Sequence, residues 1–257
     1  MSEFVVSRMW KNRVRKIIDM PPEAQNIGSL TPVIDAARIE KIGEGFLDSA
    51  EVNLLGEKIP LRWPRVWNNP EWGSGPSQSI QYYGDGVDYD IKVEWEKHRL
   101  QWLVYISAHA SKERNPTLAS QVLDYIVSYK ENNPLYQGVA WMEGLEVSIR
   151  AISIVESLSH LSGIVPREDM RVKSVISWLV EHCSWLESHL SLRWRMNNNH
   201  LLVELVGMGV LGSFLDWHPK SSRWRKKCMI LLDKELAKQT IDGRNWEPTT
   251  AYHRFVL

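Results

Sequence analysis

A change of texture near Trp95 divides the chain into a part that is able to build long helices and a part that is not. Seven prolines, from Pro21 to Pro76, interrupt the first 95 residues, and Gly73, Gly75, Gly84 and Gly86 loosen the later portion of that stretch. Proline lacks a backbone donor and clashes with the preceding turn, so long helices are disfavoured there. Glu51 to Trp63 alternates roughly in polarity about a Gly56-Glu57 turn, which predicts a short hairpin.

From Trp95 onward apolar residues recur at helical spacing. Leu100, Leu103, Val104, Ile106 and Ser107 share one face of a first helix. Asn115-Pro116 then supplies a cap followed by proline at the first helical position, predicting a second helix over about 116–131 that ends at Asn133-Pro134. A third runs from near Trp141 to Leu161, turning Leu145, Ile149, Ile152, Val155 and Leu158 inward, and Gly163 closes it. Further helices fit 167–190, 199–215 and 221–239, with loops at Asn197 to Asn199 and Trp217 to Pro219. Short connections make these antiparallel pairs, which stack as a bundle, a solenoid or a closed ring; periodicity does not choose among the three.

Composition narrows the partners. Thirty-one basic and thirty-one acidic residues balance, so there is no global positive field to collect nucleic acid. Cys183 and Cys228, 45 positions apart in apolar stretches, have neither zinc-site spacing nor disulfide-scaffold density and read as buried thiols. No run of eighteen apolar residues is present to span a membrane. Five basic residues between Arg8 and Lys16 read as a solvated helix face or a weak membrane-surface contact. They lack the following apolar segment of a secretory signal, so the chain as written is expected to stay in the cytoplasm. Thirteen tryptophans admit two uses, as filling for a large helical core or as platforms for sugar rings.

Three islands carry chemistry. In RMNNNHLLVE, Arg195 to Glu204, successive asparagines are good cap material, placing Asn199 at a helix start and His200 in its first turn. This is either a capped helix with a surface histidine or a set of amide, imidazole and backbone N–H donors favouring a carboxylate ligand. In DGRNWEPTTAYHR, Asp242 to Arg254, a turn precedes a phenol, an imidazole and a guanidinium at Tyr252, His253 and Arg254. In GVAWMEGLEVSIR, Gly138 to Arg150, Glu146 and Arg150 at i,i+4 spacing read on their own as a surface ion pair.

Together these islands resemble the heparinase II/III and alginate lyase families. There a GxxWxxxMEVAIR-like helix precedes an Asn-Asn-His-Tyr-Leu-Ala-Glu-Leu-Val helix start and then an Asp-Gly turn leading to Ser-x-x-Tyr-His-Arg. WMEGLEVSIR, NNNHLLVELVG and DGRNWEPTTAYHR stand here in the same order, with 53 positions from Asn199 to Tyr252. DIKVEWEKHRLQWLV, from Asp90 to Val104, is similar to the family's leading helix, and the likeness covers about residues 85–257. It implies an all-α fold, an incomplete (α/α) toroid over residues 96–257, preceded by an irregular region over 1–95 that packs on it and contains the short hairpin. The family's C-terminal β-sandwich is expected to be absent, the toroid being truncated at Leu257.

The resemblance also implies a chemistry: β-elimination on the non-reducing side of a uronic acid, whose negative carboxylate must be neutralised before the C5 proton can leave. Asn199 and His200 match the family's carboxylate-binding positions, where a lost donor costs about 3 kcal/mol of transition-state stabilisation. Tyr252 matches the tyrosine that protonates the leaving oxygen and, for some stereochemistries, removes the C5 proton. Arg254 resembles a substrate-carboxylate contact, and Trp141, Glu146 and His253 are expected to line the cleft. Family enzymes take a second histidine from the β-sandwich, so the chain alone is expected to bind uronate oligosaccharides and barely turn them over. Pro248-Thr249-Thr250-Ala251 departs from the Ser-Thr-x-Tyr that many relatives carry.

No cofactor and no metal are implied, since the family's metal sites belong to the sandwich. The partner is an anionic polysaccharide, many relatives are periplasmic or secreted, and an open face near Phe255 and Val256 would favour self-association. Two other readings stand beside the lyase: a catalytically silent or truncated glycan-binding toroid, and a structural helical module using its tryptophans as core.

Overall fold

The computed structural model describes residues 51–54, 57–60, 75–82, 91–192, 199–241 and 244–245. Among them are seven α-helices: α1 (Ile91–His98), α2 (Trp102–Lys112), α3 (Pro116–Asn132), α4 (Gly144–Leu161), α5 (Met170–His189), α6 (Asn199–Phe214) and α7 (Ser221–Gln239). The strands are two antiparallel hairpins, β1 (Glu51–Leu54) with β2 (Glu57–Pro60) and β3 (Thr240–Ile241) with β4 (Arg244–Asn245). The fold is therefore all-α in class. In the first hairpin Leu54 pairs with Glu57, so Glu57, expected in the turn, belongs to the second strand.

Local signals account for the helix ends. Asn115 caps α3 by accepting the Leu118 N–H at 3.0 Å, with Pro116 at the first position. Asp169 caps α5 through the Arg171 N–H at 2.8 Å, and such caps are worth about 1 kcal/mol each. Two boundaries differ from the periodicity. The first predicted helix is broken into α1 and α2 at Leu100, whose φ of 55° lies in the left-handed region although the side chain remains in the core. The third starts at Gly144, because Val139–Trp141 forms a 3-10 turn instead.

The helices form an incomplete (α/α) toroid. Alternate helices lie side by side, α2 on α4 and α4 on α6, while α3, α5 and α7 back them from outside. Close approach is built in by small residues: a Cβ added at Gly207 on α6 would lie 2.6 Å from the Ser148 Cβ on α4. Because Gly144 likewise meets Glu204, the two helices run in the same direction. A helix apolar on all sides must be enclosed, and α6 is buried nearly all round. The α4 helix is buried as fully although it is rich in serine; Ser153 and Ser159 satisfy their hydroxyls on the carbonyls four residues back.

The core is continuous across α2 to α7 and takes in Trp102, Trp141, Trp178, Trp185 and Trp224, so most of the described indoles serve packing. Cys183 and Cys228 are buried free thiols, and burial pushes the Cys228 thiol up to about 12. Among the described residues no helix is long and apolar enough to cross a membrane.

Candidate functional site

Pro134 stops α3, and the chain then makes a tight excursion before α4, with Tyr136 at φ 66° and Gly138 at φ 66°. A segment from the amino-terminal part of the chain is fastened to this excursion. The Ser77 N–H donates to the Tyr136 carbonyl at 2.9 Å, the Gly138 N–H to the Gly75 carbonyl at 3.0 Å, and the Ser77 hydroxyl to the Gly138 carbonyl at 2.7 Å. Between this strap and the ends of α4 and α5 lies a cavity of about 460 Å³.

Its walls are aromatic. Trp141 and Trp185 form the floor, with Tyr82, Tyr136 and His189 around it and Gln78 and Glu143 as polar members. Trp141 is only 1 % exposed, its indole N–H donating to the Asn133 carbonyl at 3.1 Å, so it supports the cavity from below. Tyr136 is the open platform, 49 % exposed at the rim. His189 stacks on Trp185 at 4.1 Å with 8° between planes, and its Nδ1–H donates to the Trp185 carbonyl at 2.8 Å, which fixes the imidazole against the wall.

Beneath the floor is a buried cation. Arg150 is fully enclosed, with its guanidinium 4.9 Å from the Trp141 ring centre and 5.8 Å from that of Tyr129. Its Nε donates to His182 Nε2 at 3.1 Å, and the His182 Nδ1–H donates to the Trp178 carbonyl at 2.9 Å, so His182 is neutral with a defined tautomer. Burial, reinforced by Arg150, holds His182 well below the ordinary imidazole value and His98 at about 3.

The surface pair expected from the spacing of Glu146 and Arg150 is not formed, since both residues lie inside the toroid. Glu146 is instead gripped from the α1–α2 junction: Arg99 Nε donates to its Oε2 at 2.6 Å and Arg99 Nη2 to its Oε1 at 2.9 Å, while Arg99 also binds Glu96. The isolated i,i+4 spacing could not reveal a partner 47 residues away. Glu146 belongs to the layer behind the cavity and is not among its lining residues.

Asn199 begins α6 as expected and is buried, with His200 half-buried in the first turn. His200 Nδ1 lies 3.8 Å from Glu143 Oε2, which places the imidazole beside the cavity wall. The Glu143 carboxylate raises the His200 pKa, opposed by desolvation and assisted by the charges of Glu204 and Glu146. Glu204 is buried, which pushes its carboxyl up, and it accepts from both the N–H and the hydroxyl of Ser191 at 2.7 Å. Tyr252, His253 and Arg254 lie outside the described residues, as do Phe255 and Val256. Among the described residues no group of three or more metal-binding side chains is assembled.

Sequence reasoning missed Glu143, Tyr136, Trp185 and His189. Glu143 was overshadowed by the motif residue Glu146 three positions on, and the other three meet only when the loop after α3 docks on the end of α5. The one local signal was Pro134 followed by Gly138 around an aromatic residue, a loop built to present Tyr136.

The family model described as Heparinase II/III N-terminus matches residues 67–257. The fold is similar to that of a mutant of the heparan sulfate lyase HepC from Pedobacter heparinus, with a TM-score of 0.61 at 18% identity, covering 98% of this chain and 38% of that one. The same lyase without the mutation gives a TM-score of 0.58 at 19% identity over 89% of this chain and 34% of that one. A heparinase III gene product with methylated lysines gives 0.61 at 18% identity, over 99% and 41%. The chain thus spans well under half the length of these solved proteins, and at such identities the likeness is one of fold. A search of curated protein sequences gives no significant match.

Proposed function

The chain belongs to the heparinase II/III family, and from that membership we propose that it is the toroid portion of a polysaccharide lyase that cleaves uronic-acid-containing glycans by β-elimination. The observation that carries this reading is the pairing of an aromatic-walled cavity with a histidine whose surroundings favour its protonated form. A sugar ring needs an apolar face and hydrogen-bonding edges, which Tyr136, His189 and Gln78 supply. A uronate needs a cation beside it, which His200 supplies.

In the proposed mechanism Asn199 and His200 bind the uronate carboxylate and take up its charge as the C5 proton leaves. Tyr252 donates its phenolic proton to the departing glycosidic oxygen. Where the stereochemistry puts the C5 proton on the same side, Tyr252 first removes it as phenolate; otherwise the proton passes to the second histidine that the family's sandwich supplies. Unperturbed tyrosine has a pKa near 10, which suits an acid, and Arg254 two positions on is the cation that would lower it for duty as a base. Trp141 supports the sugar platform, and Glu146 braces the layer beneath.

Incubation with heparan sulfate, hyaluronan, alginate and an acidic capsular glycan, followed by the ultraviolet absorbance of the unsaturated uronate, tests the reading. Growth of that absorbance with any of the four is the expected result, in the chain itself or in a form that includes the remainder of a lyase. Binding of all four without absorbance in either form would mark a silent glycan-binding toroid instead.

A further inference from the structure

Three carboxylates surround His200 among the described residues, and they differ in freedom. Glu204, on the same helix, is held by two hydrogen bonds of 2.7 Å from Ser191. Glu146, on α4, is clamped by both nitrogen edges of Arg99. Glu143 has no such restraint. It occupies the N-cap position of α4 with extended backbone, φ −124° and ψ 132°, yet its side chain makes no capping hydrogen bond to its own helix. It reaches across to His200 instead, to 3.8 Å, which is within ion-pair range and beyond a hydrogen bond. It also lines the cavity, where its carboxylate keeps 21% of its exposure.

We propose that Glu143 is a positioning residue and internal stand-in for the substrate: its carboxylate is the counter-ion of His200 before a uronate binds, and the uronate carboxylate displaces it. The proposal rests on the reading of His200 as a carboxylate-binding group. The pair is weak enough to be exchanged, because it is part-exposed and longer than a hydrogen bond. Its effect outlasts the exchange, since a carboxylate is always near His200, first Glu143 and then the uronate, and the imidazole keeps its proton throughout. Of the three carboxylates, Glu143 alone can move aside without breaking a charge-assisted hydrogen bond to Arg99 or Ser191.

Glu143→Gln keeps the shape and removes the charge, so it separates two consequences of opposite sign. His200 loses its nearest counter-charge and titrates at lower pH. At a pH where His200 is still protonated, the uronate meets no internal competitor and binds about two- to fivefold more tightly, the range expected of a part-exposed ion pair. Affinity in the variant then falls off at lower pH than in the wild type, so the two pH profiles cross.

The experiment is a nuclear magnetic resonance titration of the His200 ring in the wild-type chain and in Glu143→Gln, alone and with an unsulfated tetrasaccharide of alternating glucuronate and N-acetylglucosamine. His200→Asn assigns the resonance. A lower titration midpoint in the variant, tighter binding at acidic pH and an earlier loss of binding at alkaline pH are expected. An unchanged midpoint, or profiles that do not cross, would overturn the proposal. If the variant shifts the midpoint but the tetrasaccharide leaves the wild-type ring untouched, the lyase reading of His200 fails and displacement fails with it, while the ion pair itself stands. Should Glu143→Gln fold poorly, Glu143→Asp shortens the reach without removing the charge, and an unaltered midpoint in that variant would equally count against the proposal.

Discussion

Gly144 and Glu204 touch where α4 packs on α6: a methyl group on residue 144 would lie 2.6 Å from the Glu204 Oε1 and 2.9 Å from its Cγ. The glutamate cannot simply swing away, because Ser191 holds both of its oxygens. One absent side chain thus lets a buried carboxylate tie the chain before α6 to the start of α4.

Gly144→Ala should therefore be destabilising even though alanine is the better helix former. Overpacking of this kind costs about 1–3 kcal/mol. Chemical denaturation checks it, and Glu204→Ala in the same background, which opens the space, should recover part of the loss.

Tyr136 holds a left-handed backbone, a conformation that costs a side-chain-bearing residue roughly 1–2 kcal/mol. Tyr136→Gly should leave stability equal or raised by up to about 1 kcal/mol while weakening oligosaccharide binding, because the rim platform is removed. Calorimetric melting and a binding isotherm on the same sample read the two effects, and their opposite signs are the test.

Arg150→Met keeps volume under Trp141 and removes the charge, whereas Arg150→Ala also leaves a cavity. The alanine variant should lose about 3–5 kcal/mol and the methionine variant distinctly less in urea denaturation. Near-ultraviolet circular dichroism should change in both, since the guanidinium lies against the Trp141 ring.

Stability should depend on pH through the buried histidines. His98 titrates at about 3 in the folded chain, against 6.5 in an unfolded one. Between those values the unfolded state binds the extra proton, so this contribution to stability falls as pH drops from 6.5 toward 3. Glu96 and Glu204, raised by burial, act in the opposite sense, so the informative quantity is a difference between variants. His98→Gln should flatten the slope of stability between about pH 4 and 6 by up to about 1.4 kcal/mol per unit. Unfolding free energies measured at stepped pH decide it.

Tyr252→Phe keeps the ring and removes the proton donor. On the proposed mechanism it should reduce elimination by about 10²–10⁴-fold with little change in oligosaccharide affinity, in whichever form of the protein shows lyase absorbance. A binding isotherm beside the rate assay separates the two.

The helical array was legible because its signals are local. Asn115-Pro116 marks the start of α3, Asn199 that of α6, and apolar spacing the faces between. The break at Leu100 was not, since no glycine or proline announces it and a buried leucine holds the left-handed backbone there. The burial of α4 on all sides was hidden by its serines, two of which, Ser153 and Ser159, turn their hydroxyls back onto their own helix. At the site, Asn199, His200 and Trp141 were singled out through motif order; Trp141 lines the cavity, His200 stands beside its wall opposite Glu143, and Asn199 is buried at the start of α6. Glu143 and His189 become visible only when α4, α5 and the strap are brought together, and the roles assigned to Tyr252, His253 and Arg254 lie outside the described residues.

The shared direction of the inner helices has an electrical consequence. Arg99 just before α2 meets Glu146 near the start of α4, and Glu143 at that start meets His200 in the first turn of α6. The amino ends of these three neighbouring helices therefore gather at one rim, each equivalent to roughly half a positive charge within its first turn, while the outer α3 and α5, running the other way, bring their carbonyl ends to the same side. The chain carries no net formal charge, and the opposed outer helices offset the inner dipoles at a distance, so the positive field is local to the inner helix starts. Its reach is the first turn of each inner helix, so it acts on a group already beside Asn199 and His200, and it weakens as added salt shortens the range of the field.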